Sequence, residues 1–182
     1  MKEYKTPITL DDLKTMKAGD VISITGVIYT GRDAAHKRMV DLIEKKEKMP
    51  FELESNVIYY VGPSPTKPGN VVGSAGPTSS YRMDKYSPTM IKYGLNVMIG
   101  KGPRDRAFKN ALPKMNAVYL SAIGGAAALI SSHIIKSEVI AFEDLGAEAV
   151  HKFTVDKFPA IVTYDLHGND LLEDGIKTYK KS

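Results

Sequence analysis

The chain has 182 residues, enough for one domain with a hydrophobic core, and we expect residues 1–182 to fold as a single domain. Hydrophobic residues make up 43% of the chain and charged residues 25%, an ordinary composition for a globular protein. The absence of cysteine excludes disulfides and any thiolate metal site built by this chain alone.

The net charge of +4 comes from lysines and arginines that are spread along the chain, with a small group at the C-terminus. No basic run looks like a nucleic-acid-binding arm. The charged N-terminus lacks the apolar run of a signal peptide, and the longest apolar stretch, 122–130, is too short to span a bilayer. We therefore expect a soluble cytoplasmic protein that binds neither nucleic acid nor a membrane.

Apolar residues follow strand-like and helix-like periods over most of the chain. Short β-branched runs that end in glycine predict strands, and apolar residues three and four apart predict helices. Because strands alternate with helices, we predict an α/β fold with a mixed central sheet flanked by helices. The predicted strands are 21–30, 56–61, 71–74, 96–100, 117–123, 137–142, 150–155 and 160–165. The predicted helices are 9–13, 32–48, 87–93, 103–111 and 124–132.

Some boundaries rest on single residues. Thr9 or Asp11 is the expected cap of the first helical turn, and Gly26 is the expected site of a β-bulge. Gly94 is the expected end of the helix before it. The Pro/Gly-rich loop 62–69 is too long for a hairpin turn and is predicted to frame a site or an interface.

The segment 76–84 (GPTSSYRMD) carries the most chemistry. After a tight glycine–proline turn, its three hydroxyl residues, Thr78, Ser79 and Ser80, are expected at a helix N-terminus, where unpaired N–H groups favour an anion. Arg82 follows Thr78 by four residues and would share its helix face. An ordinary helix cap with a surface arginine explains the same residues, so this segment alone leaves both interpretations open.

Three predicted strand ends share one order: an apolar strand, a glycine, and then a cation or hydroxyl. They are the stretches 29–33, 71–82 and 99–102. Ligands collect at the carboxyl ends of strands in α/β sheets. If the three ends are neighbours, Arg32, Arg82 and Lys101 converge beside Thr78, and such a group of cations suits a small dicarboxylate. Three unrelated surface cations are the alternative.

The start of the helix 32–48 contains two pairs at helical spacing, Arg32 with His36 and Asp33 with Lys37. His36 is a candidate to orient Arg32 or to contact a ligand, against the alternative of a plain helix histidine. The remaining histidines lack the spacing of metal ligands, so no metal site is expected from this chain alone.

Seven motifs, in order along nearly the whole chain, carry a family resemblance. They are GRDAAHK (31–37), YVGP (60–63), GPTSSYRMD (76–84), GKG (100–102), GGAAA (124–128), LGAEA (145–149) and FPA (158–160). The chain resembles the class I, iron–sulfur fumarate hydratases, and more narrowly their C-terminal domain, which is a separate β subunit in two-chain versions. The small subunit of tartrate dehydratase is similar.

The resemblance implies a swivelling β/β/α fold and a partner α subunit whose three cysteines hold a 4Fe–4S cluster. The active site would lie between the subunits of a heterotetramer with two α and two β chains, and this chain would bind no cofactor by itself. By resemblance, the clamping arginines fall on Arg32 and Arg82, the lysine on Lys101 and the catalytic threonine on Thr78. Supporting positions are expected at His36, Asp33 and Ser79. Many relatives have a second threonine in place of Ser79.

The implied activity is the reversible conversion of (S)-malate to fumarate and water. Iron would act as a Lewis acid on the departing hydroxyl, the cations would hold both carboxylates, and Thr78 would take the carbon-bound proton. Two alternatives remain open. One is the β subunit of an L(+)-tartrate dehydratase, which forms oxaloacetate, and the other is a non-catalytic anion-binding module.

Overall fold

A computed structural model describes residues 1–66, 68–122 and 127–179. The strands are β1 (Lys2–Lys5), β2 (Val21–Thr30), β3 (Val57–Tyr59), β4 (Val97–Gly100), β5 (Val118–Ala122), β6 (Ile134–Ala141) and β7 (Val150–Tyr164). The helices are α1 (Leu10–Thr15), α2 (Asp33–Lys45), α3 (Ser87–Lys92), α4 (Arg106–Lys114), α5 (Ala127–Ser132) and α6 (Leu171–Tyr179). Two 3-10 helices span Ser80–Met83 and Glu143–Glu148.

The seven strands form one mixed sheet in the order β1-β2-β3-β4-β5-β7-β6, and five of them close into a ring. Strands β2, β3, β4 and β5 are parallel neighbours, and β7 runs antiparallel to both β5 and β2. Strand β1 pairs parallel with β2, and β6 pairs antiparallel with β7. The predicted α/β class with a mixed sheet flanked by helices is confirmed. Closure of the sheet was not predicted, because it depends on the two-sided pairing of β7.

Alternate residues of the ring strands contribute to two separate apolar cores, as the period of two in a strand requires. Tyr59 of β3 and Ile99 of β4 belong to a core that draws on all five ring strands. Ile58 and Met98, their neighbours in the chain, belong to a second core that includes Met39 of α2 and residues of α3 and α4. One side of the ring is therefore packed against these helices.

Several local predictions are confirmed. Thr9 caps α1, since its Oγ1 accepts from Asp12 N at 3.2 Å and Asp12 Oδ2 accepts from Thr9 N at 3.0 Å. The register between β2 and β7 shifts beside Gly26, whose φ is +125°. A Cβ at Gly26 would lie 2.3 Å from Thr6 Oγ1, so only glycine fits there. Helix α2 ends earlier than predicted, because Lys46 adopts a left-handed conformation.

The predicted strand at 71–74 is wrong. Ser74 N donates to Ser64 Oγ at 2.7 Å, and Ser64 N donates to Ser74 O at 3.0 Å. A Cβ at Gly73 would lie 2.2 Å from Ser64 O. This stretch therefore folds back onto the Pro/Gly-rich loop before it and does not pair with the sheet.

The two strands predicted at 150–155 and 160–165 are one strand of 15 residues, β7. The gap that was predicted between them, 156–159, contains Pro159 and Lys157, whose φ is 50°. Pro159 nevertheless pairs with Ser23 of β2, and Lys157 N donates to Thr25 Oγ1 at 3.0 Å. Pairing with β2 therefore continues on both sides of the register shift, so β7 is a single strand.

The C-terminal helix α6 was not predicted. The predicted opening of an apolar helix at 124–125 lies outside the described residues, whereas α5 itself is present. No helix in the described ranges is long and apolar enough to cross a bilayer.

Candidate functional site

The carboxyl ends of β2 and β4 lie at the same edge of the sheet, on either side of β3, because all three strands are parallel. Gly31 N donates to Tyr59 O at 3.1 Å, and Tyr60 N donates to Ile99 O at 2.8 Å. Arg32 follows β2 after Gly31, and Lys101 directly follows β4. The ends of β2 and β4 thus lie at one edge of the sheet with only β3 between them.

The segment 78–80 lies between the ends of β3 and β4. Thr78 N donates to Tyr60 O at 2.7 Å, beyond the end of β3. Ser80 N donates to Lys101 O at 3.1 Å, and Lys101 N donates to Ser80 Oγ at 2.9 Å. These bonds bring Thr78 and Lys101 to neighbouring backbone positions and fix both to the sheet.

The predicted helix N-terminus at Thr78 is wrong. A single 3-10 turn begins only at Ser80, and Ser79 before it makes no capping hydrogen bond through its side chain. The amides of Thr78 and Ser80 already donate to carbonyl groups, so they are not available to an anion. Helical spacing therefore does not relate Arg82 to Thr78.

Gly100 leaves the space in which the segment 78–80 packs against the end of β4. A Cβ at Gly100 would lie 1.9 Å from Ser80 Oγ and 2.9 Å from Tyr60 Cδ2. The group that requires a glycine here is therefore the protein's own Ser80. Gly102 has a φ of +79°, which favours glycine for conformational reasons alone.

Arg82 is paired with the first residue of α2. Its Nε donates to Asp33 Oδ1 at 3.1 Å, while 45% of the Arg82 side chain stays exposed. The other oxygen, Asp33 Oδ2, is buried and has no hydrogen-bond partner among the described residues. Both residues line an open cleft that Lys85 and Asp105 also border. Asp33 and Arg82 are thus brought together, and Lys101 is exposed at the same sheet edge.

Arg32 is paired with a carboxylate that the sequence interpretation missed. Its Nη2 lies 3.1 Å from Glu148 Oε1, with 24% and 27% of the two side chains exposed. The Nε of Arg32 is buried and unpaired within the described part of the chain. Glu148 belongs to one of the motifs behind the family resemblance, but no spacing rule connects it with a residue so distant in sequence.

His36 is fully buried one helical turn after Arg32. Its Nδ1 lies 2.9 Å from Arg32 O, and because a carbonyl only accepts, Nδ1 carries the proton. The ring meets Tyr60 edge to face, with 5.2 Å between centroids. Burial lowers the pKa of His36 to about 4, although the hydrogen bond to Arg32 opposes the shift. His36 is therefore neutral at pH 7 and contacts the backbone of Arg32.

We expect His36 to make the stability of the protein fall in mild acid. The unfolded histidine binds a proton near its ordinary pKa of 6.5, whereas the folded one does so only near pH 4. The free energy of unfolding therefore has its full contribution from neutral His36 above pH 6.5. This contribution is lost as the pH falls towards 4, and the loss reaches about 2 kcal/mol at about pH 5. Urea unfolding of the wild type and of His36→Asn across this range should show a shallower pH dependence for the variant. The same pH dependence of the free energy of unfolding in both proteins would contradict this role of His36.

Arg104 is a second residue that the sequence interpretation missed. Its side chain is fully buried and pairs with Asp84, the last residue of the segment 76–84. Its Nη2 also donates to Ser87 Oγ of α3 at 2.8 Å. Arg104 thereby attaches the segment 76–84 to helix α3. Nothing in the local sequence, a polar loop between β4 and α4, distinguishes Arg104 from an exposed arginine.

This chain offers no thiolate ligand for an iron–sulfur cluster. The sequence contains no cysteine. Within the described ranges, no group of three or more His, Asp or Glu side chains is placed to hold a metal ion.

Two comparisons with known proteins, one with protein families and one with individual proteins, agree with each other. Residues 2–175 match the family described as Fumarase C-terminus. A protein of Methanocaldococcus jannaschii, provisionally named L(+)-tartrate dehydratase subunit beta, is 36% identical over 181 residues, which cover 96% of this chain and 93% of the relative.

Longer relatives match over part of their length. The anaerobic class I fumarate hydratase of Escherichia coli is 38% identical, and the match covers 84% of this chain and 28% of that enzyme. The mitochondrial fumarate hydratase 1 of Leishmania major is 36% identical, with 92% of this chain and 31% of that enzyme covered. This chain therefore spans less than a third of these fumarate hydratases. By both comparisons, it belongs to the Fumarase C-terminus family.

Proposed function

We propose that this chain is the β subunit of an iron–sulfur hydro-lyase that interconverts (S)-malate with fumarate and water. The relatives are named hydratases and a dehydratase, which supports a lyase activity. The observation that carries the proposal is the anchoring of the segment 78–80 between the ends of β3 and β4. It places Thr78 and Lys101 at the sheet edge that also carries Arg32. Residues 1–182 act as one domain in this proposal.

A partner α subunit holds the 4Fe–4S cluster in this proposal, since this chain has no cysteine to bind it. The active site lies between the two subunits of a heterotetramer with two α and two β chains. This division is supported by coverage, because the chain matches nearly all of a protein named subunit beta and less than a third of the longer fumarate hydratases. The partner would supply what corresponds to the rest of their length.

The cations of this chain form the clamp for the two carboxylates of the substrate. Arg32 and Arg82 offer planar guanidinium forks that match carboxylates, and Lys101 adds a mobile ammonium group. Each arginine is paired with a carboxylate of its own chain, so the arginines are held near the site before a substrate arrives. Asp33 orients Arg82, and His36 supports the backbone of Arg32. Ser79 lies next to Thr78 and pairs with Lys101 in the backbone ladder.

Thr78 accepts the proton in this proposal. Dehydration of malate breaks a C–H bond, and its electron pair forms the new C=C bond while the neighbouring hydroxyl leaves with the electrons of the C–O bond. The proton moves to Thr78 Oγ1, which must be deprotonated to accept it, and the clamp stabilises the negative charge that builds on the adjacent carboxylate. The departing hydroxide would be taken up by the Lewis acid that the partner subunit supplies. A threonine hydroxyl is a weak base, so it needs activation by the surrounding cations or by a carboxylate of the partner.

A second candidate is the β subunit of an L(+)-tartrate dehydratase, which forms oxaloacetate. It is favoured by the M. jannaschii relative, whose length this chain covers almost completely. The same clamp would hold tartrate, and the partner subunit would recognise its second hydroxyl.

Co-expression with a cysteine-bearing α subunit, followed by assays without oxygen, tests both candidates. We expect the pair to interconvert malate and fumarate and this chain alone to be inactive. Faster dehydration of tartrate than of malate would select the second candidate. Binding of a diacid by a cluster-loaded pair that turns over neither substrate would support a non-catalytic anion-binding module.

A further inference from the structure

Glu148 connects two parts of the candidate site with its two carboxylate oxygens. Its Oε1 lies 3.1 Å from Arg32 Nη2 and forms an ion pair with it. Its Oε2 accepts a hydrogen bond from Ala34 N at 3.3 Å. A single carboxylate thus holds the guanidinium of Arg32 and the first turn of α2, the helix that Arg32 precedes.

This connection compensates for a missing cap. Arg32 occupies the N-cap position of α2 and makes no capping hydrogen bond through its side chain. Short polar residues usually supply that bond, and a negative charge near the first turn is favourable to the helix dipole. Glu148 supplies both from the second 3-10 helix, Glu143–Glu148.

The surrounding backbone also restricts Arg32. A Cβ at Gly62 would lie 2.9 Å from Arg32 Cδ and 2.7 Å from Ala147 O. The stem of Arg32 therefore lies close to the backbone of Gly62, which in turn lies close to the residue before Glu148. Since about three quarters of each side chain is removed from water, the Arg32–Glu148 pair is better ordered than an exposed ion pair.

The other arginine of the clamp is held more loosely. Arg82 keeps 45% of its side chain exposed and contacts Asp33 through Nε. Its partner Asp33 is the first residue of α2, but Asp33 Oδ2 makes no hydrogen bond within the described ranges. This carboxylate therefore does not hold a second group together with the guanidinium, as Glu148 does at Arg32. Arg32 is therefore the clamp residue whose direction is set before a ligand binds.

We propose that Glu148 is a positioning residue for Arg32, which it holds in the orientation that grips one carboxylate of the diacid. The inference rests on the proposed function. Preorganisation of this kind acts on turnover, because misplacement of a binding group by about 1 Å costs about a hundredfold in rate. Removal of the Glu148 charge leaves the site more positive, so attraction of a dianion does not weaken. The loss is therefore expected in kcat and not in KM.

The test uses the complete enzyme with its α subunit and the diacid that the wild type turns over. Glu148→Gln keeps an oxygen that can accept from Ala34 N but removes the charge that faces Arg32. We expect kcat to fall at least about tenfold, with KM changed by less than about threefold. Glu143→Gln is the matched control, since Glu143 lies in the same segment, Glu143–Glu148, is exposed, and has no side-chain partner within the described ranges.

A double-mutant cycle separates positioning from a general structural role. Lysine in place of Arg32 keeps the charge but loses the planar fork, so we expect Glu148→Gln to have little further effect on kcat in the Arg32→Lys background. An equal loss in both backgrounds, or an unchanged kcat in Glu148→Gln alone, would overturn the proposal. If the wild-type pair turns over neither malate nor tartrate, the proposed function fails. If the wild-type pair turns over its diacid and Glu148→Gln has the same kcat, the positioning role fails while the proposed function stands.

Discussion

Replacing Asp84 with alanine is expected to lower the free energy of unfolding by about 3 to 5 kcal/mol, because it leaves the charge of Arg104 buried without a partner. The Arg104 side chain is fully buried, and only 10% of the Asp84 side chain is exposed. The second oxygen of Asp84 also accepts from Asp105 N at 3.0 Å, so that amide would lose its partner too.

Arg104 has no easy way to relieve this loss. Its guanidinium lies 3.5 Å from the centroid of the Phe108 ring and is enclosed by Tyr60 and Tyr119. Burial disfavours the charged form, but Tyr60 and Asp84 raise the pKa of Arg104, so it stays charged. Without Asp84, the remaining hydrogen bonds to Ser87 Oγ and to the Tyr60 hydroxyl would not balance the desolvation of a full charge.

Two comparisons test this explanation by urea unfolding. Asp144→Ala breaks the exposed pair with Arg38 and should have a much smaller effect, since solvent screens that pair. Replacement of both Asp84 and Arg104 by apolar residues of similar size, Asp84→Leu with Arg104→Met, should recover much of the loss. Equal effects of Asp84→Ala and Asp144→Ala would contradict the prediction.

Local signals in the sequence predicted those elements whose limits depend on nearby residues. Thr9 and Asp12 define the start of α1, Gly26 marks the irregularity in β2, and Gly94 follows α3. In each case the atoms that fix the boundary lie within a few residues, or the backbone conformation itself requires glycine. The shared edge of β2 and β4 was predictable for a related reason, because parallel strands of an α/β sheet end on one side.

Long-range contacts account for the features that the sequence analysis missed. Thr78 looked like the start of a helix, but the carbonyls of Tyr60 and Lys101 take the amides of this segment. Glu148 and Arg104 were given no role from the sequence, and only the fold brings them to Arg32 and to the segment 76–84. A sequence pattern reports the period of a segment and its local capping groups. It does not report which distant carbonyl or carboxylate will compete for them.

The largest loss of activity is expected for Thr78→Ala, which removes the hydroxyl proposed to accept the substrate's proton. In the complete enzyme with its α subunit, kcat should fall about a hundredfold to ten-thousandfold, the range that general acid–base groups contribute. KM should change little, because Arg32, Arg82 and Lys101 still hold the carboxylates. The backbone is expected to stay in place, since Thr78 is anchored through its amide to Tyr60 O at 2.7 Å and not through its side chain.

The choice of substitutions at Thr78 separates the hydroxyl from its surroundings. Thr78→Val keeps the branched shape without the hydroxyl and should be as inactive as Thr78→Ala, whereas Thr78→Ser should retain most of the activity. Thr178→Ala on α6 is the control, since the Thr178 hydroxyl donates to Asp174 O within its own helix. A full kcat in Thr78→Val, or an equal loss in Thr178→Ala, would refute the role of Thr78. A raised KM with an unchanged kcat would instead make Thr78 a binding residue, because a group that acts only in the transition state changes turnover and not ground-state affinity.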